Sequence, residues 1–273
     1  MPTETLLNRL ALIPGVAARC AEPLSAHTPL RVGGPAAVWA VVRDVKALQA
    51  TLTAARAEKV RWRLLWPMED LIFRDAGFHG LIIRPGRGFE GVSRLESGAS
   101  IGAASPWAAL SGLLELPITR WSGTVGGLFS QGEQARLAGV GLTLHYLKGR
   151  RILKTRIEPG EAIPALKPTE IPIRLEIDPK LAPRKRLQPP PRPGQLFTAP
   201  RGANPGEQLV RTGLIGTRLR DWRLSEAEPG CVVQIGSGTC RDVELLARGV
   251  AERVQRARGV ELSLRIPVIG ARS

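Results

Sequence analysis

Three glycines fall within the five residues Gly123-Thr124-Val125-Gly126-Gly127, directly after Arg120-Trp121-Ser122. Because glycine has no Cβ, it adopts positive φ and lets another group approach the backbone closely. Successive free N–H groups in such a turn form a concavity that binds anions. A tight turn between packed elements has the same composition. The stretch therefore predicts either a structural turn or an anion-binding loop, and the residues around it are needed to choose between them.

The elements around this stretch alternate between helix and strand. Apolar spacing predicts helices over 3–12 and 45–58, the second capped by Asp44. A strand–helix–strand order over 37–66 predicts parallel pairing across the second helix. The remaining strands and hairpins are predicted at 80–84, 91–104, 140–157 and 170–177, with a further helix starting at Ser105-Pro106.

Residues 179–193 are rich in proline and arginine, which predicts a semi-rigid linker at a domain boundary. Beyond it, Asn204 opens a helix that ends at Gly213, and Thr239 with Asp242 opens a longer one. Strands are predicted at 217–224, 231–236 and 261–266. The whole pattern predicts an α+β fold with two or three domains.

The formal charge of +15 attracts polyanions, although arginine spread over a surface also reflects genome composition. Basic clusters lie at Lys148–Arg156 and Arg184–Arg186, but aromatics make up only 4% and are not interleaved with them. Nucleic-acid binding is therefore not expected. His27, His79 and His145 stand alone, and we interpret them as solvated or core histidines.

Cys20, Cys231 and Cys240 have no metal-ligand spacing, so we expect reduced thiols and no metal. No apolar run approaches the length of a membrane span. The start Met1-Pro2-Thr3-Glu4 lacks a secretion signal, and we expect a cytoplasmic protein.

Seven motifs occur in one order along residues 24–270. They are Thr28–Ala36, Arg74–Gly80, Gly123–Gly127, Arg184 with Gln188-Pro189, Gly194–Pro200, Leu209–Leu214, and Gly259–Leu262 with Ile269-Gly270. In this order they resemble the UDP-N-acetylenolpyruvoylglucosamine reductases, the MurB family of peptidoglycan precursor synthesis.

The resemblance implies two N-terminal subdomains of FAD-binding (PCMH-like) type, at 1–85 and 86–178, and an α+β substrate domain of MurB type at 179–273. It implies that Gly33, Gly34 and Gly123-Thr124-Val125-Gly126-Gly127 contact FAD. It also implies a reaction in which NADPH reduces the flavin, and the flavin passes hydride to a UDP-linked enolpyruvyl sugar.

The chain differs from the family at positions that, by the resemblance, bind the cofactor or take part in the reaction. The glycine-rich loop that wraps the FAD pyrophosphate is replaced by Trp66-Pro67-Met68-Glu69-Asp70, which loses a donor and adds two negative charges. The family's proton-donating serine matches Gln195, whose amide gives up no proton at neutral pH. The family's catalytic glutamate matches Arg265, and its Tyr-Arg-x-Ser segment has no counterpart at 161–168.

Other substitutions surround the glycine stretch. Arg120-Trp121-Ser122 replaces Gly-Ile-Pro, and Leu128–Gly132 replaces an Asn-Ala-Gly sequence. Trp66 and Trp121 both stand at positions that belong to the family's cofactor site. We expect their side chains to fill the flavin cavity, although tryptophans in general are most simply packing residues.

Three functions remain open from the sequence. The first is a degenerate, non-catalytic family member with a binding or regulatory role, whose partner is a UDP-sugar, another anionic ligand or a cell-wall synthesis protein. The second is an active flavin-dependent UDP-N-acetylmuramate dehydrogenase with a rearranged site. The third is a polyanion-binding module that uses the positive field.

Overall fold

The computed structural model describes residues 2–138, 140–178, 191 and 193–270. The chain forms two compact units. The first comprises Met1–Cys20, Val38–Glu69 and Gly80–Pro190, and the second comprises Ala21–Ala37, Asp70–His79 and Pro191–Ser273. Most of the predicted linker at 179–193, including Arg184 and Gln188-Pro189, lies outside the described residues. The division at residues 85 and 178 stays a prediction.

Five α-helices and sixteen strands are described. The helices are α1 (Pro2–Ala11), α2 (Val45–Ala57), α3 (Val125–Ser130), α4 (Pro205–Arg211) and α5 (Cys240–Arg258). The strands are β1 (Val16–Pro23), β2 (Pro35–Val42), β3 (Trp62–Leu64), β4 (Ile72–Phe73), β5 (Phe78–Pro85), β6 (Val92–Leu95), β7 (Gly98–Gly102), β8 (Gly141–Lys148), β9 (Arg151–Ile157), β10 (Glu170–Asp178), β11 (Phe197–Thr198), β12 (Arg218–Leu219), β13 (Trp222–Leu224), β14 (Val232–Gln234), β15 (Ser263–Leu264) and β16 (Val268–Ile269).

The first sheet has the order β1-β2-β5-β3, with β3 and β5 parallel. The prediction that the strands flanking α2 pair with each other is wrong, because β5 lies between them. The cap of α2 is as predicted, since the Asp44 carboxylate accepts a bond from the Ala47 N–H at 3.0 Å. Leu48 and Ala55 on this helix are buried in the core of the first unit together with Leu10 of α1.

The second sheet is antiparallel, in the order β6-β7-β10-β8-β9, and both predicted hairpins are confirmed. The α-helix predicted from Ser105-Pro106 is wrong. Only the 3₁₀ turns Trp107–Leu110 and Pro117–Arg120 form there. Gly112 has φ +82° between them, and a residue before proline is disfavoured in the helical region, so no continuous helix fits.

The second unit has its own core, built mainly on α5. This helix begins with the predicted capping box, in which Thr239 and Asp242 satisfy each other's backbone N–H groups, and it ends at Gly259 with φ +66°. Three small sheets surround it in the orders β12-β13-β14, β11-β15 and β4-β16. The strand predicted at 261–266 is shorter than expected, because only β15 pairs within it.

Candidate functional site

The glycine stretch forms the predicted turn into α3. Thr124 is the N-cap residue, and its Oγ1 accepts a bond from the Gly127 N–H at 3.1 Å. The Gly126 N–H donates to the Ala103 carbonyl at 2.7 Å, and Gly123 has φ +84°. The N–H groups of Gly126 and Gly127 are therefore already used within the protein.

The indole of Trp66 lies directly on the backbone of Gly126. A Cβ at Gly126 would lie 2.1–2.5 Å from Trp66 atoms Cδ2, Cε3 and Cε2, a distance that no real side chain tolerates. Trp66 is 2% exposed, and Val125, the residue before Gly126, is fully buried. Gly126 is thus required by the packing of the protein's own tryptophan.

Trp121 lies in the core of the first unit at 5% exposure. Its ring centroid is 5.7 Å from that of Trp107, and the two planes meet at 72°. This edge-to-face contact is a favoured arrangement of aromatic pairs. The structure therefore gives Trp121 a packing partner on the neighbouring 3₁₀ turn.

The loop that follows β3 encloses a buried carboxylate. The Glu69 side chain is 1% exposed. One of its oxygens accepts bonds from the Arg63 guanidinium at 2.8 Å and the Ser130 hydroxyl at 2.7 Å, and the other accepts the Trp66 N–H at 3.0 Å. A cation and hydrogen bonds to both oxygens offset the cost of burying the charge.

Sequence reasoning anticipated the negative charge of this loop but missed its partners. Arg63 points from β3, and Ser130 is the last residue of α3. Their spacings of six and 61 residues from Glu69 give no local pattern that a sequence motif reveals. Met68 adopts φ +57° in the turn, a conformation usually given to glycine.

In the second unit, Arg265 contacts Gln195, and these are the two positions that the resemblance matches to catalytic residues. The Arg265 Nε donates to the backbone carbonyl of Gln195 at 2.7 Å, and its guanidinium forms an ion pair with Asp70. Asp70 also accepts the Gly194 N–H at 3.1 Å. Burial raises the pKa of the Asp70 carboxyl above its ordinary value, and the charge of Arg265 opposes that rise.

Gly33 and Gly34 pack on the segment that contains Asp75. A Cβ at Gly34 would lie 2.0 Å from the Asp75 carbonyl oxygen, and Gly33 has φ +128°. An aspartate in a turn most simply hydrogen-bonds its own turn. The Asp75 carboxylate instead accepts the N–H groups of Cys240 and Arg241 at 2.8 and 3.3 Å, which caps α5.

An open groove of about 360 Å³ lies beside Gly33 and Gly34 in the second unit. Its lining combines small and polar residues: Ser25, Arg31, Val32, Gly33, Gly34, Asp75, Gln234, Gly236, Ser237, Gly238 and Thr239. The sequence-predicted glycines therefore fall into two groups, with Gly33 and Gly34 in the second unit and Gly123–Gly127 in the first.

No disulfide joins Cys20, Cys231 and Cys240, all of which lie among the described residues. Burial, with help from Glu244 and Asp75, raises the pKa of Cys240 to about 12, so this thiol is not a nucleophile at neutral pH. His145 lies 2.9 Å from Glu176, and burial lowers its pKa. Within 2–138, 140–178 and 193–270, no three potential metal ligands cluster, and no helix is long and apolar enough to cross a membrane.

Comparisons with a family model and with individual proteins identify the same family. The family model described as "UDP-N-acetylenolpyruvoylglucosamine reductase, C-terminal domain" matches residues 185–269. A reductase of that name from Moorella thermoacetica is 30% identical, with 91% of this chain and 92% of the relative covered. UDP-N-acetylenolpyruvoylglucosamine reductase 2 from Symbiobacterium thermophilum is 28% identical, with 92% of each chain covered.

A solved structure gives the same result for the fold. The MurB from Thermus caldophilus aligns with a TM-score of 0.64 at 21% identity, covering 93% of this chain and 98% of that chain. The α+β architecture predicted from the sequence, with its MurB-type C-terminal domain, is confirmed.

Proposed function

Because the chain belongs to the UDP-N-acetylenolpyruvoylglucosamine reductase family, we propose that it is a family member which has kept the fold and lost the reaction. Its role in this proposal is binding or regulatory. The observation that carries the proposal is the first-unit packing at the glycine stretch, where Trp66 and Glu69 occupy the surroundings of a turn that the resemblance assigns to FAD.

The residues of the loop do not fit a dinucleotide diphosphate. The Trp66 N–H, a donor of this loop, already bonds the Glu69 carboxylate. The Arg63 guanidinium is already paired with Glu69, so a phosphate brought there finds that cation taken and a buried carboxylate beside it. Pro67 supplies no N–H in compensation.

The residues of the glycine stretch do not fit an isoalloxazine ring against Gly126. The Trp66 indole covers that backbone and is itself buried. A ligand ring there must displace the indole and expose an aromatic side chain that buries roughly 150–250 Å².

The second unit supports the same proposal. Gln195 stands where the resemblance places the proton donor, and an amide does not serve as a general acid. Arg265 stands where it places the carboxylate, and its guanidinium is committed to Asp70 and to the Gln195 carbonyl. These groups hold segments of the chain together and leave no proton source at the two positions.

A binding role is supported by the groove in the second unit. The groove beside Gly33 and Gly34 presents Arg31 and Ser237, groups that suit an anionic ligand. We propose a UDP-sugar like that in the relatives' name, or another anion, as the first ligand class to test. We also propose a cytoplasmic location, a cell-wall synthesis protein as partner, and domain boundaries at residues 85 and 178. In this proposal the two glycine groups are remnants of a cofactor site.

The deciding experiment is the visible absorption spectrum of the purified protein, followed by titration with FAD. We expect no flavin absorbance and no saturable FAD binding at concentrations that load the Moorella thermoacetica relative, which serves as the positive control. NADPH oxidation that depends on a UDP-linked enolpyruvyl sugar would overturn the proposal and establish the active reductase. A yellow protein with tightly bound flavin would also overturn the proposal.

A further inference from the structure

The Glu69 cluster has the construction of an anion-binding site. Its donors come from three separate places: the Arg63 guanidinium on β3, the Ser130 hydroxyl at the end of α3, and the backbone N–H of Trp66. They converge on one carboxylate at 2.7–3.0 Å. This set of one cation, one hydroxyl and one amide is typical of sites that hold oxyanions.

The anion of the cluster is shielded from solvent, whereas its cation is partly exposed. The Glu69 side chain is 1% exposed, while that of Arg63 is 28% exposed. The Arg63 Nε is buried and has no hydrogen-bond partner among the residues that the structure describes. The guanidinium therefore retains an unused donor beside the carboxylate.

We propose that these donors form a small-oxyanion site which the chain fills with its own Glu69 carboxylate. The ligand class is a carboxylate or an inorganic oxyanion of similar size. In the native protein Glu69 is the resident ligand, tethered through its own backbone, so external anions are excluded. These contacts do not depend on whether the protein has reductase activity.

The proposal makes a specific chemical rescue possible. Glu69→Ala removes the CH₂–COO⁻ portion of the side chain, which has the size of acetate. It leaves the three donors in place around a vacated volume. Acetate should enter that volume and stabilise the folded state, because a ligand that binds only the folded form raises the folded-to-unfolded ratio by a factor of one plus its concentration over its dissociation constant.

The experiment is thermal unfolding of Glu69→Ala in sodium acetate and in sodium chloride at equal ionic strength. We expect a saturable rise in the melting temperature with acetate only, and about an elevenfold higher folded-to-unfolded ratio at ten times the dissociation constant. Formate should act more weakly, since it lacks the methyl group. The double variant Glu69→Ala/Ser130→Ala should bind acetate about fivefold more weakly.

The matched control is Glu207→Ala, which removes an exposed carboxylate paired with Arg211 on the surface helix α4. It should show no saturable acetate effect, and neither should the wild-type chain. Equal effects of acetate and chloride on Glu69→Ala would overturn the proposal. So would equal acetate affinity with and without Ser130.

A second measurement covers the case in which Glu69→Ala does not fold. Recovery of folded protein when refolding is carried out in acetate, but not in chloride, supports the site. If neither salt restores folding, a double-mutant cycle between Glu69→Gln and Ser130→Ala decides. A coupling of about fivefold in the unfolding equilibrium supports the proposal, and additive effects overturn it.

Discussion

Glu69 and Asp70 are neighbours in sequence, yet each carboxylate has a different use in its own unit. Glu69 accepts the N–H of Trp66 three residues before it and so closes a local loop, with Arg63 and Ser130 as further donors. Asp70 instead bonds Gly194 and Arg265, which are 124 and 195 residues away. One carboxylate fixes a loop, and the other ties distant segments together.

The difference shows that two adjacent carboxylates are both buried and yet take different partners. Each carboxylate is buried next to an arginine, because an unpaired buried charge costs several kcal/mol. Which arginine is used depends on the unit. The two sites should therefore respond differently when one partner is removed.

Arg265→Met should give the largest loss of stability, about 3–5 kcal/mol, because it leaves the Asp70 carboxylate buried without its cation. Urea unfolding measures the change. The double variant Asp70→Leu/Arg265→Met should recover most of it, since replacing both charges by apolar groups removes the desolvation cost. A single-variant loss below about 1 kcal/mol would show that Asp70 is not held mainly by this pair.

Gly126→Ala should destabilise the first unit by about 1–3 kcal/mol, because the new Cβ overlaps the Trp66 indole and forces it to move. Unfolding in urea measures this too. Gly249→Ala in α5 is the matched control, since a Cβ there meets nothing within 4 Å and alanine favours a helix by about 1 kcal/mol. Equal effects at both positions would mean that the indole does not cover Gly126.

Asp44→Ala tests an exposed carboxylate against the two buried ones and should cost about 1 kcal/mol through loss of the α2 cap. The bond from the Ala47 amide lowers the pKa of Asp44 from its ordinary value of 3.8. Its contribution is therefore present above that value and is lost as the pH falls through the lower, folded-state pKa. Unfolding of both proteins between pH 2 and 7 should show the difference vanish only at the acidic end.

Local signals predicted much of the secondary structure. The caps at Asp44, Asn204 and Thr239 were readable because a capping side chain bonds an N–H only three residues away. A helix was predicted after Ser105 because the stretch is long enough for one. The prediction was wrong because Gly112 and Pro117 interrupt it. The pairing of the strands beside α2 failed because β5 lies between them in the sheet, and the order of strands along the chain does not encode their order in a sheet.

The sequence by itself determined the family, the caps and the hairpins, since all of these are patterns of residue type and order. Only the tertiary structure decided which partners the residues of Trp66–Asp70 take. It brought Arg63 and Ser130 to Glu69, Arg265 to Asp70, and the Trp66 indole to Gly126. The physical reason is that charge pairing and ring packing depend on distances between segments far apart in sequence, and no local pattern encodes those distances.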